Sequence, residues 1–593
     1  MPRFAAAAVA IFVLFFALSA QAQTVYPIDR AEILAGARFD FKVEFPGLAD
    51  PAAIKVTLNG EDYAKTFGKA AAFVEREDGK EQSALILHDV VLAQPGTYRV
   101  LVSNGTTRRE LTWTVYGTGP RKAKNVVLLI GDGMSPAHRV AARLLAKGIA
   151  EGKARGKLAM DDMPQMALVA TAGSDSVITD SANSASAYAT GHKSAVNAMG
   201  VYADRTIDPL DDPKVENITS LVQRRLGMAV GIVTNTEIED ATPAAMVAHV
   251  RRRAEYDRIV EQFFAAKPDV LMGGGLANFL PKSAHGSKRK DETDFLEKFR
   301  ASGYAVALTG PEMNALAAAP ETKRLLGLFT LGNMDGALDR KFLKRGTVPK
   351  FPEQPDLTEQ VRAALNVLAR NEAGFFLMVE SGMIDKYTHL LDMERAVYDT
   401  IMLDNVVRLV RDWSEPRGDT LILVVADHNH PIGLVGTIDD DMSKDAVAPL
   451  RERVRVYERA GFPNYPAPDA EGYPERVDVF GEPSRSLRNA APKTRRAERS
   501  DRARHAGRHL RRQRALQERA RRCAAARQPA GHDQCRRTFR GRCDSYRHRP
   551  GQRARARANG KHGGVPHHCR GARPGSGAGS RVAMMADAIG DND

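Results

Sequence analysis

Hydrophobic and polar positions change texture several times along this 593-residue chain, and each texture predicts a different kind of element. Near the N-terminus, Arg3 is followed by an apolar run from Phe4 to Leu18, then by Ser19 and Ala20-Gln21-Ala22. A positive charge, a short hydrophobic core and small residues two apart are the parts of a cleaved secretory signal, so residues 1–22 read as a leader. The remainder is expected to be exported, to the periplasm or beyond. The run is short for a bilayer span and no later stretch is long and apolar enough, so no membrane attachment is expected after cleavage. From residue 23 to 117 the pattern alternates with period two, as in Phe39-Asp40-Phe41-Lys42-Val43, Ile54-Lys55-Val56-Thr57-Leu58 and Tyr98-Arg99-Val100-Leu101-Val102. Asn59-Gly60, Pro95-Gly96 and Asn104-Gly105 punctuate these runs, which predicts a small antiparallel, immunoglobulin-like β-sandwich. It carries no catalytic constellation, and a positioning role is expected of it.

Between residues 118 and 480 apolar strands alternate with helical stretches. Val126 to Ile130 runs into Gly131-Asp132-Gly133, and Gly231 to Val233 precedes Thr234 to Asp240. Phe375 to Val379 runs into Glu380, and Leu421 to Val425 ends in Ala426-Asp427-His428. This is the pattern of an α/β domain with a mostly parallel central sheet flanked by helices. Ligands of such sheets bind beyond the carboxyl ends of the strands, so the polar clusters are expected to converge. Residues 278–355 are polar and less regular, and read as an inserted cap or surface excursion.

Charge sets the C-terminal region apart. A net charge of +14 suggests an anionic partner, yet residues 481–593 hold 29 Lys and Arg against 9 Asp and Glu, and the chain before them is net negative. All four cysteines (Cys523, Cys535, Cys543 and Cys569) also fall there, in spacings that match neither a zinc knuckle nor a disulfide framework. Only Lys493 and Lys561 are lysines, and periodic apolar runs are missing. Such a composition suits out-of-frame translation of a GC-rich gene better than a basic, disordered interaction tail. The alternative from another class is a non-catalytic surface or nucleic-acid-binding protein. With Phe539 and Tyr546 as the tail's aromatics, a base-stacking platform cannot be built, so specific nucleic-acid recognition is not expected.

The strand ends together offer Asp132, Glu380, Asp385, His389, Asp427 and His428, with Thr242 nearby. Carboxylates with imidazoles suit zinc, and carboxylates with a hydroxyl suit magnesium, so the set can hold more than one ion. Asp385 and His389 are four apart, on one face of a helix. The small-residue segment from Asp180 to Gly191 reads as a turn entering a helix. There Ser181 either caps the helix or offers a nucleophile to a phosphoryl group among unpaired N–H groups.

Five ordered runs carry a family resemblance: Asn125 to Ser135 (NVVLLIGDGMS), Ile178 to Gly191 (ITDSANSASAYATG), Glu239 to Val250 (EDATPAAMVAHV), Val379 to His389 (VESGMIDKYTH) and Val425 to His428. Together they resemble the motifs of bacterial alkaline phosphatases over roughly residues 124–431. The resemblance implies hydrolysis of small-molecule phosphate monoesters through a phosphoserine at Ser181, with two zinc ions and one magnesium. It implies that Asp132, Asp427 and His428 ligate the zinc beside the serine oxygen, and Asp385 and His389 the zinc beside the leaving group. Asp132, Thr242 and Glu380 would hold the magnesium. Arg253 resembles the phosphate-clamping arginine, whose paired donors fit a phosphoryl group. Asp240 and Lys386 occupy positions that tune the phosphate and magnesium sites, or are ordinary surface charges. The family is often dimeric, so a homodimer is implied. A phosphodiesterase of the same superfamily is the close rival, whereas a sulfatase is disfavoured because no Cys-x-Pro-x-Arg motif occurs.

One part of the family pattern is missing. Members supply a further zinc-ligating histidine from a His-Thr or His-Ser motif near the C-terminus, and no such motif follows His430, which itself reads as an outer partner of the site. With two protein ligands the second zinc would be held weakly, which puts activity of the chain as written in doubt.

Overall fold

The computed structural model describes residues 23–150, 153–432 and 469–473. The expected leader and the arginine-rich tail lie outside the described residues, as do 433–468 and 474–480 of the expected catalytic region. Among the described residues no helix is long and apolar enough to cross a membrane.

Alternation in the N-terminal segment is realised as two packed sheets. Arg38–Glu44 pairs with Thr24–Tyr26 and Ala84–Val91, and the last of these with Ala72–Val74, all antiparallel. The facing sheet is built on Gly96–Ser103, between Arg108–Tyr116 and Lys55–Leu58. Along Arg108–Tyr116, Leu111, Trp113 and Val115 turn inward while their neighbours face water, and they meet Phe39, Phe41 and Val43 from the other sheet. The expected antiparallel sandwich needs one correction: Glu32–Leu34 joins Arg108–Tyr116 in parallel. Three residues are too few to announce their direction in a sequence pattern.

Seven strands of the larger domain form one sheet among the described residues: β1 (Asn125–Gly131), β2 (Ala229–Glu237), β3 (Val270–Gly274), β4 (Ala305–Ala307), β5 (Leu325–Leu328), β6 (Phe375–Ser381) and β7 (Thr420–Val425). Their order is β4-β5-β3-β2-β6-β1-β7, and every pairing is parallel. The inner strands β1, β2, β3 and β6 are buried on both faces and rich in apolar residues, whereas edge strand β7 leaves Leu421 and Leu423 exposed among the described residues. The long helix Met393–Ser414 and helix Leu357–Leu368 are buried against the sheet with Val127, Leu129, Val379 and Leu377. Residues 278–355 are not a cap: they contain β4 and β5, which extend the main sheet. These strands of three and four residues are too short to show a period.

The sandwich is seated on residues 199–216 of the larger domain. Lys42, 2% exposed, pairs with Glu77 at 2.7 Å, with Glu44 at 3.6 Å and with Asp204. Arg205 reaches Glu77 at 2.6 Å and donates to the carbonyls of Phe45 and Ser83. Phe39 bridges to Val215, and Met199 bridges to Val250, three residues before Arg253. Residues 199–216 thus touch the sandwich on one side and Val250 on the other.

Candidate active site

Strand register brings the polar clusters together. Ile130 of β1 pairs with both Glu380 of β6 and Val425 of β7, and Glu380 pairs with Thr234 of β2. Asp132 lies two residues beyond Ile130, and Asp427 two beyond Val425, so both carboxylates leave the same edge of the sheet. The Asp132 N–H donates to the Ser381 carbonyl at 3.3 Å and the Gly133 N–H to Asp427 Oδ1 at 2.9 Å, which ties three strand ends together. Gly133 has φ +65°, and a Cβ there would lie 2.7 Å from Asp385 Oδ1. Glycine is required where the loop passes that close.

Helix α1 (Ser181–Thr190) points its first turn at this edge. Asp180 is its cap, accepting from the Asn183 N–H at 3.1 Å while the Asn183 side chain accepts from the Asp180 N–H at 3.0 Å. Ser181 therefore does not cap the helix. Its buried hydroxyl lies 3.3 Å from His428 Nε2 and donates to Asp132 Oδ1 at 3.4 Å.

Helix α2 (Ala241–Ala245) carries Thr242 and packs against β6, which ends in Glu380. Helix α3 (Met383–His389) carries Asp385, Lys386 and His389, with His389 Nε2 3.1 Å from Asp385 Oδ2. Asp132 and Asp385 come within ligating reach of His428.

Asp132, Glu380, Asp385 and Asp427 are all buried. Burial first, and then Asp427, Asp385 and Glu380, push the Asp132 carboxyl well above the usual range. Burial pushes Glu380 up to about 7, against the hydroxyl of Thr234, which donates to it. Crowded buried carboxylates of this kind call for cations. Two further atoms make the same demand: Asp427 Oδ2 and Thr242 Oγ1 are buried with no hydrogen-bond partner among the described residues. The donor types fit divalent metals. Ligand atoms of Asp385, His389 and His430 lie within 4.8 Å of one another, as do those of Asp132, Asp385 and His428, and carboxylate with imidazole suits zinc.

Asp240 and Lys386 are not surface charges. Asp240 accepts from Arg253 at 2.7 Å and pairs with Lys386 at 2.5 Å. Burial would raise Asp240, but Lys386 and Arg253 hold it well below the usual carboxylate range. Arg253 also lies 3.6 Å from Asp180, and its N–H donates to the Asn197 carbonyl at 2.9 Å. Arg252 beside it is exposed, so the three arginines are not one solvated turn.

Several residues of the site carried no sequence signal beyond polarity near a strand end. Thr234 and Thr236 both donate to Glu380 Oε2, at 2.5 and 3.1 Å. Asn235 Oδ1 accepts from the N–H groups of Gly382 and Met383, at the start of α3. His138 is a satisfied buried histidine, 3.0 Å from both Ser135 Oγ and Thr388 Oγ1, and burial lowers it to about 4. His430 meets Asp385 at 2.7 Å.

A parallel sheet that gathers buried carboxylates, imidazoles and a helix-tip serine at its carboxyl edge defines a metal-dependent α/β hydrolase. The alkaline phosphatase family model matches residues 123–455. The chain is 33% identical over 352 residues to the alkaline phosphatase of Escherichia coli, covering 53% of this chain and 72% of that protein. It is 32% identical to the streptomycin-6-phosphate phosphatase of Streptomyces griseus, covering 55% of this chain and 80% of that one. Among solved structures, the alkaline phosphatase of Thermus thermophilus is 29% identical, with a TM-score of 0.47 over 57% of this chain and 69% of that one. The chain belongs to the alkaline phosphatase family, and it is a metal-binding phosphatase.

Proposed function

We propose that this chain is an exported phosphomonoesterase that works through a phosphoserine on Ser181, at a site for two zinc ions and one magnesium, and is most active at alkaline pH. The observation that carries the reading is the Ser181 hydroxyl itself, relieved of capping by Asp180 and held between Asp132 and His428. Asp132, Asp427 and His428 would hold one zinc, Asp385 and His389 the other, and Asp132, Thr242 and Glu380 the magnesium. When bound, such ions neutralise the phosphoryl group and stabilise the attacking and departing oxygens.

The chain's own residues supply the rest. The first turn of α1, at the positive end of a ten-residue helix, favours a phosphoryl group next to Ser181. Arg253 presents parallel donors to the non-bridging oxygens, and Asp240 and Asp180 fix its direction. In the first half-reaction the Ser181 hydroxyl gives its proton to solvent, the Oγ–phosphorus bond forms as the ester P–O bond breaks, and the alcohol leaves with a proton from solvent. In the second, water attacks phosphorus, the Oγ–phosphorus bond breaks, and phosphate leaves with the hydroxyl restored. A relative named for streptomycin 6-phosphate fits a site that grips the phosphoryl group and leaves the alcohol to vary. Localisation in the periplasm or outside the cell rests on the leader-like residues 1–22, and a homodimer on the family.

The test is hydrolysis of p-nitrophenyl phosphate and of bis-p-nitrophenyl phosphate by the chain supplied with zinc and magnesium. Monoester turnover well above diester turnover is expected. Faster diester turnover, or a purified protein that takes up no metal, would sink the reading.

A further inference from the structure

The strand-end segment Asp427-His428-Asn429-His430 sends its two imidazoles to different carboxylates. His428 Nε2 lies 3.4 Å from Asp132 Oδ1, whereas His430 Nδ1 lies 2.7 Å from Asp385 Oδ1. Residues two apart on an extended segment share a face, so the split is made by the turn after Asp427 and not by strand alternation. The turn is pinned, since the His430 N–H donates to the Gly133 carbonyl at 2.8 Å. A side chain at Gly133 would crowd both partners, its Cβ falling 3.1 Å from the His430 Cβ.

Asp385 is consequently held between two imidazoles. His389 takes Oδ2 at 3.1 Å, His430 takes Oδ1, and the two rings meet edge to face with centroids 4.3 Å apart. Ligand atoms of Asp385, His389 and His430 all lie within 4.8 Å of one another, and so do those of Asp132, Asp385 and His428. Two sets therefore stand side by side and share Asp385. One carboxylate and two imidazoles form the three-ligand complement of a catalytic zinc site with one position left open.

We propose that His430 is the third protein ligand of the cation held by Asp385 and His389. This inference rests on the metal-site reading above and completes the site that otherwise has two protein ligands among the residues assigned to it. The competing role is that of a positioning residue, with His430 only donating a hydrogen bond to Asp385.

Two nearly isosteric variants separate the roles. Asn at 430 can donate to Asp385 but is a poor zinc ligand, whereas Asp can ligate but has no proton to donate. Zinc is titrated against a competing chelator into the metal-stripped full-length chain, with magnesium present. Two tight zinc equivalents are expected for the unsubstituted chain. His430→Asn should weaken one of them by more than about 100-fold, beyond the 10–100-fold typical when an outer partner is lost, and His430→Asp should stay within about tenfold of the parent. Equal affinities in the two variants, or the reverse order, would overturn the assignment while leaving the metal site standing. Failure of the unsubstituted chain to bind any zinc would overturn the metal-site reading and this inference together.

Discussion

Replacing Ser181 with alanine and, separately, Asp180 with alanine should damage the enzyme in opposite ways. Ser181 is buried, but its hydroxyl contacts are long, at 3.3 and 3.4 Å, and it does not cap α1. Losing them should change stability by no more than about 1 kcal/mol. If Ser181 carries the phosphoryl group, turnover should fall by at least about 10⁴-fold, equivalent to roughly 5.5 kcal/mol of transition-state stabilisation. Asp180 makes the cap through Oδ1, and its Oδ2 accepts from the Asn197 N–H at 3.2 Å and faces Arg253. Its loss should cost about 1–2 kcal/mol of stability and, by loosening Arg253, raise KM more than it lowers kcat. Urea denaturation and steady-state p-nitrophenyl phosphate hydrolysis read the two effects on the same preparations. Wild-type rates in Ser181→Ala would refute the reasoning, and so would a loss of stability in that variant as large as in Asp180→Ala.

Buried charge leads to three further outcomes. In the metal-stripped protein Glu380 is raised to about 7 by burial, against an unfolded value near 4.3. It binds its proton more tightly when folded, so its contribution is complete below about pH 4 and is lost as pH rises through 7. Denaturation midpoints of the stripped protein should fall over that window, and zinc with magnesium should flatten the fall; a stripped protein that gains stability over the window contradicts this. Thr236→Val removes one of two hydroxyls on Glu380 Oε2 and should weaken magnesium binding by about 10–100-fold in a direct titration, leaving zinc stoichiometry unchanged. Lys42→Met leaves Glu44, Glu77 and Asp204 buried with Arg205 as the remaining cation and should destabilise the fold by about 3–5 kcal/mol in urea; a shift below about 1 kcal/mol would mean that the cluster is solvated.

Much of the architecture was legible because the physics that forms it is periodic. Strands β1, β2, β6 and β7 were visible as apolar runs ending in polar clusters, and parallel register does the rest, aligning Thr234, Glu380, Ile130 and Val425 in one row. Strands β4 and β5 were not, since three or four residues cannot display a period. Lys42 occupies a polar position in an alternating strand, where water is the usual neighbour; it is buried because a second segment, carrying Asp204, closes over it. Whether Ser181 or Asp180 caps α1 could not be read from the sequence, since both residue types cap helices well and only backbone geometry chooses between them. His430 was legible as a neighbour of the site, but its approach to Asp385 depends on a turn that no spacing rule encodes.

The central claim is that Ser181 carries the phosphoryl group, and acid quenching during turnover tests it most directly. With p-nitrophenyl phosphate as substrate, peptide mass mapping of the quenched protein should find one phosphoryl group on the peptide containing Ser181, and none in Ser181→Ala. Turnover without a covalent phosphoprotein, or a phosphoryl group trapped on another residue, would contradict the account.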